Sequence, residues 1–128
     1  MARLTSHPGR TLLLATTILS AGVALDACGT SGAVAQAREA CVYVHRALRD
    51  YRASQEAALP SSQRAALASR AVATLLRGTP YAASATSIDG GWNPLMTTIN
   101  EGERVPLRYL VASLTHLCAI ADSPTPVL

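Results

Sequence analysis

The sequence predicts an all-α protein: an up-down four-helix bundle stapled by one disulfide and preceded by a cleaved signal peptide. Three observations carry that prediction. Apolar residues recur at alternating spacings of three and four in the segments 33–58, 62–77 and 106–121, the period of helices with one buried stripe. Of the 3 cysteines, Cys28 closes a leader-like segment, which leaves Cys41 and Cys118 as a pair inside two helical segments. Phe is absent and aromatic residues are only 4% of the chain, so the core must be built from Leu, Val, Ile and Ala, which suit close helix packing.

The first segment, residues 1–27, reads as a signal peptide. Arg3, His7 and Arg10 make a basic opening, and the uncharged run from Thr11 to Leu25 is short for a membrane span, which needs ~20 apolar residues. No twin-arginine pair precedes the run, which favours the general secretory route. Leu25-Asp26-Ala27-Cys28 then resembles a bacterial lipobox, with an aliphatic residue three before the cysteine, a small one just before it and a Gly/Ser stretch after it. Cys28 is thus the expected lipidation site, and residues 28–34 the expected flexible tether. Asp26 departs from the pattern, since a carboxylate there should slow processing. Ala33-Val34-Ala35 offers the alternative, ordinary cleavage that discards Cys28. In either case two cysteines remain for the mature protein.

The helical domain is expected over residues 35–122. Its first long helix starts near residue 33, puts Ala37, Cys41, Val44, Leu48 and Tyr51 on one stripe, and ends near 58 ahead of Pro60, where Ser61 or Ser62 is placed to cap the next. That second helix presents Ala65, Ala68, Val72, Leu75 and Leu76 and ends at Gly78. The segment 79–92 is the least regular and is expected to be a loop, with at most a helical turn near 81–85. Asn93-Pro94 signals a short helix carrying Leu95, Met96 and Ile99 and closed by Gly102. The last helix begins near Pro106, displays Leu107, Leu110, Leu114, Leu117 and Ala121, and gives way to a disordered tail at 123–128.

Joining Cys41, near the start of the first helix, to Cys118, near the end of the last, makes those helices antiparallel neighbours. The alanines beside them permit the close approach that a disulfide needs. Zinc is the competing reading, because Cys41 and His45 are spaced i, i+4 and His116 stands near Cys118. Geometry disfavours it: residues two apart on a helix point about 200° away from each other.

No catalytic pattern stands out. The chain lacks a G-x-S-x-G elbow and a glycine-rich phosphate loop, and its 11 basic residues are all arginine, so no S-x-x-K is possible. Glu101 and Glu103 read as an exposed turn, and Ser84, Ser87 and Asp89 as loop residues. His45 and His116 read as helix-surface residues before they read as an acid-base pair. Arg46, Arg49 and Arg52, with Arg70 and Arg77, read as a solvated face paired with Asp50 and Glu56 before they read as a surface for anionic lipid or cell-wall polymer. Trp92 is expected to plug one end of the bundle; the alternative is an exposed binding anchor. A net charge of +3, part of it from Arg3 and Arg10 in the leader, gives no sign of nucleic-acid binding.

Cys41 with Val44 to Leu48, Gly91-Trp92-Asn93-Pro94-Leu95 through Ile99-Asn100-Glu101, and Leu110 to Cys118 together resemble small exported proteins and lipoproteins of high-GC Gram-positive bacteria. The resemblance implies fold and compartment, and brings no catalytic residue with it. The expectation is a non-enzymatic interaction module without cofactor or metal, exported to the outer face of the cell membrane through a lipid on Cys28 or secreted, with a protein or cell-wall polymer as partner. The alternative is a small-ligand binder or minor enzyme using a pocket beside the 79–92 segment, with Tyr81, Trp92 and His116 lining it.

Overall fold

The computed structural model describes residues 25–126, with side chains from Thr30 onward. The expected signal peptide to residue 24, the Cys28 side chain and the last two residues lie outside the described residues. The described residues are all-helical.

Helix α1 (Leu25–Ser54) is the spine. Ala33, Ala37, Ala40, Cys41, Val44, Ala47 and Leu48 are buried along one stripe, while Arg38, Val42, His45, Arg46 and Arg49 face solvent. The helix includes residues 28–34, where composition favours a flexible tether. Tertiary packing overrides that preference: Ala33 is fully buried, and Gly32 lies against the Ile88 side chain. At its other end α1 stops at Ser54, short of residue 58. The Ser54 hydroxyl donates to the Tyr51 carbonyl at 2.6 Å, and the N–H groups of Gln55 and Glu56 turn to carbonyls three residues back.

Helices α2 (Ser61–Leu76) and α3 (Thr79–Ile88) then follow α1 backwards, one after the other. Arg70 meets Asp50 beside the upper half of α1, Gly78 rests on the Ala40 carbonyl, and Ile88 reaches Gly32. Neither serine caps α2; the chain enters it from Pro60 with no side-chain cap, and Pro60 O accepts from Arg64 N–H. Helix α3 occupies the segment expected to be a loop. Pro80, which reads as a breaker, falls in the first turn of α3, where its missing N–H is not needed. Gly78 also stays right-handed at φ −75° and ψ −17°, so the path bends there instead of reversing. The bend needs glycine for space, because a Cβ at Gly78 would stand 3.2 Å from both the Ala40 and Leu75 carbonyl oxygens.

A 3-10 turn, Gly90–Trp92, leads into α4 (Asn93–Glu101). Asp89, not Asn93, does the capping: its Oδ1 accepts from Gly91 N–H at 2.9 Å, while Asn93 lies inside the first turn of α4 with no side-chain cap there. Thr79 donates to Asn100 Oδ1 at 3.0 Å, tying the start of α3 to the end of α4. The last helix also starts later than expected. A 3-10 turn at Leu107–Tyr109, with i to i−3 bonds closing on Pro106 and Leu107, precedes α5 (Val111–Asp122). At the start of the segment expected to be a disordered tail, Ser123 O accepts from Arg38 at 2.9 Å, and Pro126 lines a cleft together with Thr30 and Val34.

Leu48, Leu75, Leu95, Ile99 and Leu114 fill the core, each fully buried and each worth about 1.5–3 kcal/mol relative to exposure. Gly102 closes α4 against that core, and a Cβ there would sit 2.7 Å from Leu75 Cδ2 and 3.1 Å from the Ile99 carbonyl oxygen. Leu75 has no exposed volume to retreat into. Gly102→Ala should therefore destabilise by about 1–3 kcal/mol through overpacking. Gly90→Ala, with nothing within 4 Å of the new methyl and no positive φ, should be neutral or slightly stabilising. Urea titrations of the two variants followed by circular dichroism check the contrast, and equal midpoints would refute it.

Candidate functional site

The most constrained part of the surface surrounds the disulfide. Cys41 and Cys118 are bonded at 2.06 Å with their Cα atoms 5.5 Å apart, and both are fully buried. One turn to either side on α1, two cationic or protonatable side chains reach the end of α5. Arg38 donates through Nε to Ala121 O at 2.8 Å and through a terminal nitrogen to Ser123 O, and His45 Nε2 lies 3.0 Å from Asp122 Oδ2. A cation on the last carbonyls of a helix satisfies orphan acceptors and complements the helix dipole. The cluster is thus a clamp that fixes the end of α5 across α1. It also removes the ligands a zinc site would need, since both thiolates are consumed in the bond and His45 faces Asp122.

The three residues expected to line a pocket are dispersed. Tyr81, near the start of α3, stacks on Tyr43 of α1 with ring centroids 5.5 Å apart and planes inclined by 19°. Arg46 stands 5.8 Å from the Tyr43 ring centroid. The Tyr43 hydroxyl, as hydrogen-bond partner and then as charge, pushes the Tyr81 phenol above the ordinary tyrosine value, with burial and Glu39 adding to the rise. Trp92 lies beyond the other end of α3 and is 2% exposed. His116 is exposed on α5. Beside Trp92 a cleft of about 130 Å³ remains, shared with Thr30, Val34, Asp89 and Pro126. Drug-sized ligands occupy roughly 300–1,000 Å³.

A cleft of that larger size lies elsewhere, at the opposite end of α1. It measures about 450 Å³ and is formed by Tyr51 of α1 and Gln55 just beyond its end, Ala68 and Val72 of α2, and the corner from Pro106 to Arg108. The sequence signal for it is weak: Pro106 reads as a helix start, and nothing in the spacing places that corner against α1 and α2.

The charged surface also differs from the expected pairing. Asp50 does not pair with Arg46 along α1; it accepts from Nε and a terminal nitrogen of Arg70 on α2, at 3.0 and 3.3 Å. Glu101 pairs with Arg104 at 2.7 Å, and Glu103 is exposed. Ser87 donates to the Ser84 carbonyl, and Asp89 caps the turn before Trp92, so these polar residues serve local backbone structure. Among the described residues, no group of three or more His, Cys, Asp or Glu side chains is placed to hold a metal ion, and no helix is long and apolar enough to cross a membrane. Compared with protein-family models, with curated proteins and with solved structures, the chain finds no match.

Proposed function

We propose that this chain is a small exported envelope protein, lipid-anchored through Cys28 or secreted, that works as a non-enzymatic interaction module for a protein or cell-wall polymer. The observation that carries the reading is the buried Cys41–Cys118 bond. It joins residues 77 apart in sequence, a cross-link that belongs to oxidising compartments, and it follows a segment with signal-peptide character. In this reading α1, the α2–α3 pair, α4 and α5 form an up-down-up-down bundle. The start of α1, the Asp89–Trp92 corner and the C-terminal residues then share one pole, which a lipid on Cys28 would turn toward the membrane. Their convergence around the small cleft beside Trp92 supports that orientation.

Expression of the full chain in a Gram-positive host, followed by detergent-phase partition and intact mass analysis, tests the proposal. The expected product is a detergent-soluble species that begins at Cys28, carries a diacylglyceryl mass and has no free thiol, with Cys28→Ala lost from the detergent phase. A form cleaved after Ala35 and found in the medium would assign secretion without an anchor. An uncleaved cytoplasmic chain with reduced Cys41 and Cys118 would refute export altogether.

A further inference from the structure

We propose that the cleft between α1, α2 and the Pro106–Arg108 corner is a binding site for a small amphipathic anion, a monocarboxylate with a short apolar body. Its volume of about 450 Å³ falls within the usual range for small-ligand pockets. Ala68, Val72, Pro106 and Leu107 supply an apolar floor, which calls for a hydrocarbon body.

The polar groups decide the head. No carboxylate lines the cleft, and Arg108 is its one ionisable cation. The Arg108 guanidinium lies 4.5 Å from the Tyr109 ring centroid and donates to the Tyr109 hydroxyl at 3.1 Å. That bond occupies one of the five N–H donors a guanidinium carries and leaves others for a ligand. The side chain is thereby held by an aromatic ring instead of being neutralised by an acid. Gln55 Nε2 donates to Ser54 Oγ at 2.9 Å, which fixes the amide at the rim, and Ser69 of α2 also lines the cleft. The wider setting is also cationic. Arg52 lies in the last turn of α1, three residues before Gln55, and Arg64 precedes Ala68 by one turn of α2, neither paired with an acid among the described residues; Glu56, just beyond α1, is the nearby opposing charge in the sequence. A 3-10 turn closed by Tyr109 N–H to Pro106 O and Leu110 N–H to Leu107 O fixes the third wall. Organic anions are favoured there over alcohols of the same length, and organic cations are excluded.

Titration of the purified protein with octanoate, octanol and octylammonium, read by backbone amide chemical shifts, tests the proposal. Octanoate should shift the amides of Gln55, Ser69, Val72, Leu107 and Arg108 saturably, with roughly tenfold higher affinity than octanol, as one charge-assisted hydrogen bond supplies. Octylammonium should leave them unmoved. Arg108→Gln should bring octanoate down to the octanol level, and Ala68→Leu, which fills the floor, should abolish both. Equal binding of octanoate and octylammonium, octanoate shifts centred elsewhere, or an unchanged preference in Arg108→Gln would each overturn it.

Discussion

Removing the staple, in a Cys41→Ala/Cys118→Ala variant, should lower the melting temperature by roughly 20–30 °C at this domain size. The bond closes a loop spanning 77 positions, and the chain-entropy model gives about 4.5 kcal/mol for a loop of that length. Small domains have a total stability of about 5–15 kcal/mol, so the variant is expected to be marginally folded near 37 °C. The loss arises mainly in the unfolded ensemble, so the variant should keep the native helical spectrum at low temperature. Because both sulfurs are fully buried, a reductant should act on the native protein only through unfolding, making reduction slow below the transition and fast within it. Thermal melts by circular dichroism, oxidised against variant, measure the effect. A shift of only a few degrees would show that Arg38 and His45 clamp the end of α5 without help from the bond.

How much of this was legible in the sequence depended on whether a local rule or a long-range contact decided the outcome. The buried stripe of α1 follows from periodicity alone, and the pairing of Cys41 with Cys118 follows from parity and helix geometry. The error at 79–92 has a definite cause. Pro80 and Gly78 are breakers in isolation, and α2 does end at Leu76, but proline sits in the first turn of a new helix and glycine provides clearance for the Ala40 carbonyl, so α3 starts at Thr79 in the segment expected to be a loop. Capping also departs from the local rule: α2 and α4 both start without a side-chain cap, and the carboxylate that does cap, Asp89, serves the 3-10 turn ahead of α4. The cleft at Arg108 was beyond reach. Its walls come from three segments far apart in sequence, and none carries a motif.

Trp92→Ala should destabilise by about 3–5 kcal/mol, while Trp92→Phe, which keeps most of the apolar surface, should cost about half as much or less. Trp92 is the sole tryptophan, is 2% exposed, and belongs to the same core as Leu95, Ala85 and Ala33. The turn that carries Trp92 packs against α3 and α4, and Thr30 and Val34 of α1 line the cleft beside it, so the side chain stands where three helices meet at the corner from α3 into α4. Truncation should therefore loosen the start of α1 as well as the corner itself, visible as faster amide exchange around Ala33 and Ile88 than in the Phe variant. The wild-type indole should show blue-shifted emission and low acrylamide quenching, both reversing in one step with urea. An exposed binding anchor would give the opposite pattern, free quenching and an alanine variant of unchanged stability. That result would return Trp92 to the surface and remove the reason for treating this pole as packed core.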